Sequence, residues 1–138
     1  MLLREIMQRE VIAVSPDAPV IEAARKMEEH NIGCILVMKD GQAKGIFTDR
    51  DIALKVTAKG SDPYLTKAAD VMKPHVIFAT PEMDILEATR LMSFHHVRRL
   101  PIQEDGRLVG IVSATDLSRV IQEETDNLFS LRTTPVYH

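Results

Sequence analysis

The sequence predicts a mixed α/β protein made of two tandem copies of one strand, helix, strand, strand, helix unit, packed with pseudo-twofold symmetry. Three observations carry that prediction. Ile6 to Leu54 lies over Val71 to Arg119 without a gap at a constant offset of 65, and 14 of the 49 pairs are identical, where ordinary residue usage gives about three. Within each copy, apolar residues switch between a helical period and short unbroken runs of strand length. Each copy also holds an Asp-Gly pair between two such runs, Asp40-Gly41 and Asp105-Gly106, the strongest local signal for a two-residue hairpin.

The first copy, residues 3–60, opens on the short apolar segment Leu3 to Met7, and Val11 to Val14 then reads as a brief strand ended by Ser15-Pro16. Asp17 and Pro19 stand at a helix entrance, as a capping side chain and a first-turn proline would. Val20, Ala23, Ala24 and Met27 follow at helical spacing, with Glu22, Arg25, Lys26 and Glu28 outward. Asn31 and Gly33 end that helix. Cys34 to Met38 is a strand, the Asp40-Gly41 turn reverses it, and Gly45-Ile46-Phe47 returns. A second helix opens at Thr48-Asp49-Arg50-Asp51 and runs to Gly60.

After the turn Ser61-Asp62-Pro63, the second copy, residues 66–121, repeats this course. It has a short helix at Thr66 to Met72, a strand at Val76 to Phe78, a helix from Ile85 to Met92, strands Leu100 to Gln103 and Leu108 to Val112, and a helix opened by Ser113. The tail, residues 122–138, turns polar and then shows Phe129, Leu131, Val136 and Tyr137 without a period. It reads as a disordered segment or one that docks on a partner subunit. Units of about 50 residues are marginal alone, so one core shared by two mutually dependent halves is expected.

Composition narrows the function classes. Seventeen basic against 20 acidic residues leave a formal net charge of −3, which gives no sequence-wide attraction to nucleic acid or an anionic membrane. The single cysteine, Cys34, excludes an internal disulfide and a thiolate metal cluster, as in a cytoplasmic protein. No signal-peptide core is formed at the start, and no run approaches the roughly 18 apolar residues of a membrane span. No nucleophile paired with a base, metal constellation or Walker loop is present, so the chain reads as a non-enzyme. His95-His96 reads as a helix end and not a metal site. The paired Met7/Met72 and Met27/Met92 read as core or cleft lining, and Cys34 as a buried, inert thiol.

Two copies ending in Gly45-Ile46-Phe47-Thr48-Asp49-Arg50-Asp51 and Gly110-Ile111-Val112-Ser113-Ala114-Thr115-Asp116, with Val97-Arg98-Arg99-Leu100-Pro101-Ile102 before the second hairpin, resemble a CBS-domain pair, or Bateman module. The resemblance implies two small three-stranded sheets with two flanking helices each, packed together around up to two clefts. It also implies an adenine nucleotide (AMP, ADP or ATP) as ligand, with NAD or S-adenosylmethionine in some members, no required cofactor, and a homodimer.

On that basis Thr48 and Ser113 are candidates to meet a phosphate at a helix start, together with the amides there. By analogy with the family, Asp51 and Asp116 accept hydrogen bonds from ribose hydroxyls. A hydroxyl followed three residues later by an acid is equally a capping box, sufficient to start a helix. Arg98 and Arg99 stand where the first copy has Gly33 and Cys34, and either grip phosphate or lie solvated at the surface. One stronger and one weaker or empty cleft is therefore expected. His96, Arg50 and Thr115 are further candidates for the sugar-phosphate end. The base is placed near the first strand and its turn, at Ser15, Thr80 and Pro81, and beside the central strand, at Ile35 and Pro101. The leading function is a regulatory module that binds an adenine nucleotide between its halves and acts by shape change or on a protein partner. The alternative is a dimerisation or docking scaffold with vestigial clefts. A nucleic-acid role ranks behind both.

Overall fold

In the computed structural model, which describes residues 1–133 of the chain, the first copy takes the expected order of elements and the second departs from it only at its first strand. The first contains β1 (Ala13–Val14), α1 (Val20–His30), β2 (Cys34–Lys39), β3 (Gln42–Thr48) and α2 (Asp49–Ile52), which continues as a π turn over Ala53–Thr57. The second contains α3 (Ala68–Val71), α4 (Ile85–His95), β4 (Arg99–Glu104), β5 (Arg107–Ser113) and α5 (Ala114–Thr133). Both hairpins turn where expected: Asp40 and Gly41 have φ of 54° and 76°, and Asp105 and Gly106 have 52° and 76°. Positive φ at both central residues is the turn whose twist matches the flanking strands. Each hairpin also shifts register at one repeat position, between Val37 and Met38 and between Ile102 and Gln103.

The helix termini show how one fold tolerates different residues. Asn31 and His96, at one repeat position, close α1 and α4 in the left-handed conformation. At the entrances the copies diverge. Asp84 caps α4 by accepting from Leu86 N at 2.8 Å, whereas its counterpart Pro19 has no side-chain cap to give α1. Asp17, the expected cap, lies instead 3.6 Å from Lys67 as an exposed ion pair.

The sheets are unequal too. β1 runs parallel to β2, and β2 antiparallel to β3. In the second copy the Val76 to Phe78 strand is missing, and a single bridge remains where Ala79 bonds to Pro101 O and Gln103 N. Pro101 supplies the reason. In the first copy Leu36 N donates to Ile12 O at 3.4 Å; the repeat partner of Leu36 is Pro101, which has no N–H to offer Ile77.

The halves hold separate cores, not the one shared core expected from chain length. Val20, Met27, Ile35, Val37, Phe47 and Val56 centre the first, and Ile85, Met92, Leu100, Ile102, Val112 and Leu117 the second. The halves are joined instead by lead-in segments that cross. Leu3 and Met7 are buried in the second core, while Ala68 and Val71 are buried in the first. Hydrogen bonds follow the same crossing: Leu3 N to Met83 O at 2.9 Å, and Ala68 N to Ala18 O at 2.8 Å. Gln8 then bridges to Ile111, and its repeat partner Lys73 to Ile46, which ties each lead-in to the last strand of the opposite copy.

The polar stretch beyond Val120, read from sequence as a tail without period, continues α5 to Thr133. Gln122 Nε2 bonds to Asp126 at the next turn at 2.9 Å. No glycine or proline interrupts this stretch, whereas the equivalent first-copy helix stops at Thr57, and the turn that follows it reaches Gly60, where φ is 69°. Val136 and Tyr137 lie outside the described residues.

Candidate functional site

Two clefts lie between the halves, and each draws its walls from both. The first, about 260 Å³, is bounded by Thr48 and Asp51 of the first copy and by Val76, Ile77, His96, Arg98, Arg99 and Pro101 of the second. The second, about 200 Å³, is bounded by Ser113 and Asp116 of the second copy and by Val11, Ile12, Ile32 and Leu36 of the first. Every residue lining the second cleft has its repeat partner lining the first. The sequence repeat is therefore also a repeat of the clefts.

Strand alternation decides which side chains reach them. On β2, Ile35 and Val37 face their own core, and Cys34 and Leu36 face the second cleft. On β4, Leu100 and Ile102 are core, while Arg99 and Pro101 face the first cleft. Ile35 is thus not a cleft residue; its place belongs to Leu36, the true partner of Pro101. A one-residue slip in a strand changes face.

At the helix starts, both expected roles of the hydroxyl-acid pair meet in one geometry. Thr48 N donates to Asp51 Oδ2 at 2.9 Å and Asp51 N to Thr48 Oγ1 at 3.3 Å; Ser113 N donates to Asp116 Oδ2 at 2.9 Å and Asp116 N to Ser113 Oγ at 3.1 Å. These are reciprocal capping boxes. They use the Oδ2 atoms and leave the Oδ1 atoms facing cations: Asp51 Oδ1 lies 3.8 Å from Lys55 and 3.9 Å from Lys73, and Asp116 Oδ1 lies 3.7 Å from Arg119. Asp51 is only 8% exposed and lines the first cleft.

The expected phosphate amides at the start of α2 are engaged by side chains. Arg50 N donates to Asp49 Oδ1 at 2.9 Å, and Asp51 N is held by Thr48. At α5, Ala114 N donates to Arg98 O at 2.7 Å. An anion in the first cleft would meet side-chain cations instead: Lys73, Arg98 and Arg99. Lys73 and His75 were missed in the sequence reading, although their position just before the first strand of the copy matches that of Gln8 and Glu10, which line the second cleft.

Other candidates are not brought in. Arg50 is exposed and lines neither cleft. Thr115 is exposed and belongs to an outer groove with Arg98, Ser118 and Arg119. Ser15 and Thr80 are exposed on turns beyond the cleft walls, and Pro81 is buried where its carbonyl accepts from Arg4 N at 2.9 Å. The apolar slot is formed by the residues before these turns, Val11 and Ile12 or Val76 and Ile77.

Cys34 lines both clefts and is buried. Desolvation pushes its thiol up to about 11 from 9.0, against the pull of Arg99. At pH 7.5 the folded protein should alkylate at least tenfold more slowly than the urea-unfolded chain. Reactivity should then climb steadily toward pH 11. Fast modification of folded protein at neutral pH would contradict this burial. Because the folded state keeps its proton longer, the stability contribution of this thiol is present below pH 9 and is lost between about 9 and 11.

Two pseudo-equivalent halves, crossed lead-ins and paired clefts at the hydroxyl-acid helix starts define a tandem cleft module. The sequence matches the CBS domain twice, over residues 3–57 and 68–123, and the chain belongs to that family. It is 42% identical over 116 residues to the CBS domain-containing protein YhcV of Bacillus subtilis, covering 84% of this chain and 82% of that protein. It is 35% identical over 121 residues to hypoxic response protein 1 of Mycobacterium tuberculosis, covering 87% and 85%. The CBS domain pair of protein MJ0100, solved in complex with 5′-methylthioadenosine and S-adenosyl-L-methionine, superposes with a TM-score of 0.80 at 27% identity, over 90% of this chain and 98% of that one. CBS pair modules generally bind adenosine-containing ligands, and stand-alone members are generally non-enzymatic. Among the described residues, no helix is long and apolar enough to cross a membrane.

Proposed function

We propose that this protein is a regulatory module that binds an adenine nucleotide, AMP, ADP or ATP, in the first cleft. The observation that carries the reading is the grouping of Lys73, Arg98 and Arg99 opposite Thr48 and Asp51 around an apolar slot. Adenine suits the Val76-Ile77 wall, ribose hydroxyls suit the Oδ1 of Asp51 that the capping box does not use, and phosphate suits the cations. The capping boxes alone would serve a docking scaffold with unused clefts, but helix capping has no need of three cations. Since both copies wall each cleft, a bound ligand acts directly on their relative position. A homodimer, a cytoplasmic setting and a protein partner that reads the bound state belong to this proposal.

The test is calorimetry on ligand-stripped protein with AMP, ADP, ATP, NAD and S-adenosylmethionine. Saturable binding of a phosphorylated adenosine, weakened by raising salt because Lys73 is exposed, is expected. No heat from any of the five would remove the reading in favour of the scaffold.

A further inference from the structure

The two clefts agree in their apolar walls and hydroxyl-acid pairs and disagree in charge. Where the first has Lys73 and His75, the second has Gln8 and Glu10. Three permanent cations face one carboxylate in the first cleft. In the second, two carboxylates, Glu10 and Asp116, face Arg99, the one cation among the described residues lining it, and Arg99 is shared with the first cleft. Arg119 stands behind Asp116, paired with it at 3.7 Å, and lines the outer groove instead.

We propose that the second cleft is a distinct site for an adenosyl compound that carries no phosphate and is neutral or positively charged, and that phosphorylated adenosines are confined to the first. The proposal rests on the reading that these clefts take adenosine-type ligands. Its added content is discrimination by charge. A phosphate in the second cleft would lie against Glu10 and Asp116 with only a shared guanidinium to offset them, and like charges placed together reject a ligand more than they weaken the right one. A cationic substituent there would pair with Glu10. The ribose end is retained, since Ser113 and Asp116 repeat both capping hydrogen bonds of Thr48 and Asp51.

The repeat supplies its own test. Gln8→Lys with Glu10→His gives the second cleft the lead-in residues of the first, at two exposed positions, and reverses the charge that separates the clefts there. Calorimetry on the ligand-stripped full chain would use ADP, adenosine and S-adenosylmethionine as probes. One ADP per wild-type chain is expected, with S-adenosylmethionine bound alongside it. The exchanged variant should take two ADP and bind S-adenosylmethionine at least tenfold more weakly. Two equal ADP sites in the wild type overturn the proposal, as does one-for-one displacement of S-adenosylmethionine by ADP. A single ADP site in an exchanged variant whose melting profile matches the wild type also overturns it. If no adenosine probe binds either protein, the underlying reading fails with it; the preceding outcomes sink the charge discrimination alone.

Discussion

Asp51→Ala is expected to weaken nucleotide binding about 10- to 100-fold, while Asp116→Ala leaves the same binding within about twofold. Hydroxyl groups bonded to a charged carboxylate contribute about 1.5–3 kcal/mol, which is that range in affinity. The difficulty in testing Asp51 is that it has two duties. Its Oδ2 closes a capping box on Thr48, so removing it costs roughly 0.5–2 kcal/mol of stability even with no ligand present. Asp116 performs the same capping duty on Ser113 but faces the other cleft. Both variants should therefore lose comparable stability in thermal melts, and only Asp51→Ala should lose the ligand. Equal loss of binding in the two would mean that the acids act through helix order. Unchanged binding in both would assign them to capping alone.

How much of this was legible in the sequence depends on the kind of signal. Turns and helix ends were plain because single residues encode them: Asp40-Gly41, Asp105-Gly106 and Asn31 each adopt the left-handed backbone their chemistry allows. The pairing of clefts followed from the repeat. What failed were properties that depend on three-dimensional partners. Asp17 has the composition of a helix cap, yet its carboxylate goes to Lys67. Ile35 looked like a cleft residue because the strand register was not known to within one position, and one position reverses the face. The lost third strand at Val76 to Phe78 was encoded at Pro101, some 24 residues away, where only a pairing register could show its effect. Lys73 and His75 carry no signal of their own in the sequence, because they precede the first strand of the copy and belong to no motif. They become cleft residues only through the crossing of the lead-in segments.

That crossing leads to the largest expected effect on stability. Met7/Met72 and Gly45/Gly110 are identical in the two copies, and the structure brings them together crosswise. A Cβ on Gly110 would come within 2.9 Å of both Gln8 O and Met7 Sδ. A Cβ on Gly45 would meet Met72 Cγ at 2.7 Å and Cβ at 2.8 Å. The difference lies in what can move. Met72 is a flexible side chain, but Gln8 O is backbone that accepts from Ile111 N at 3.0 Å, with the return bond from Gln8 N to Ile111 O at 2.9 Å. Gly110→Ala must push the lead-in segment off β5 and strain two hydrogen bonds that join the halves. A cost of about 1–3 kcal/mol is expected, a fall of roughly 4–12 °C in Tm at this chain length. Gly45→Ala should be partly rescued by Met72→Ala, whose truncation removes Cγ and Sδ from the contact. Gly110→Ala should not be rescued by Met7→Ala, because the carbonyl remains. A double-mutant cycle read by thermal and urea unfolding measures both couplings. Rescue of equal size at the two sites would show that the lead-in backbone yields as readily as a methionine, and the halves would then be held together by their side chains and not by these two bridges.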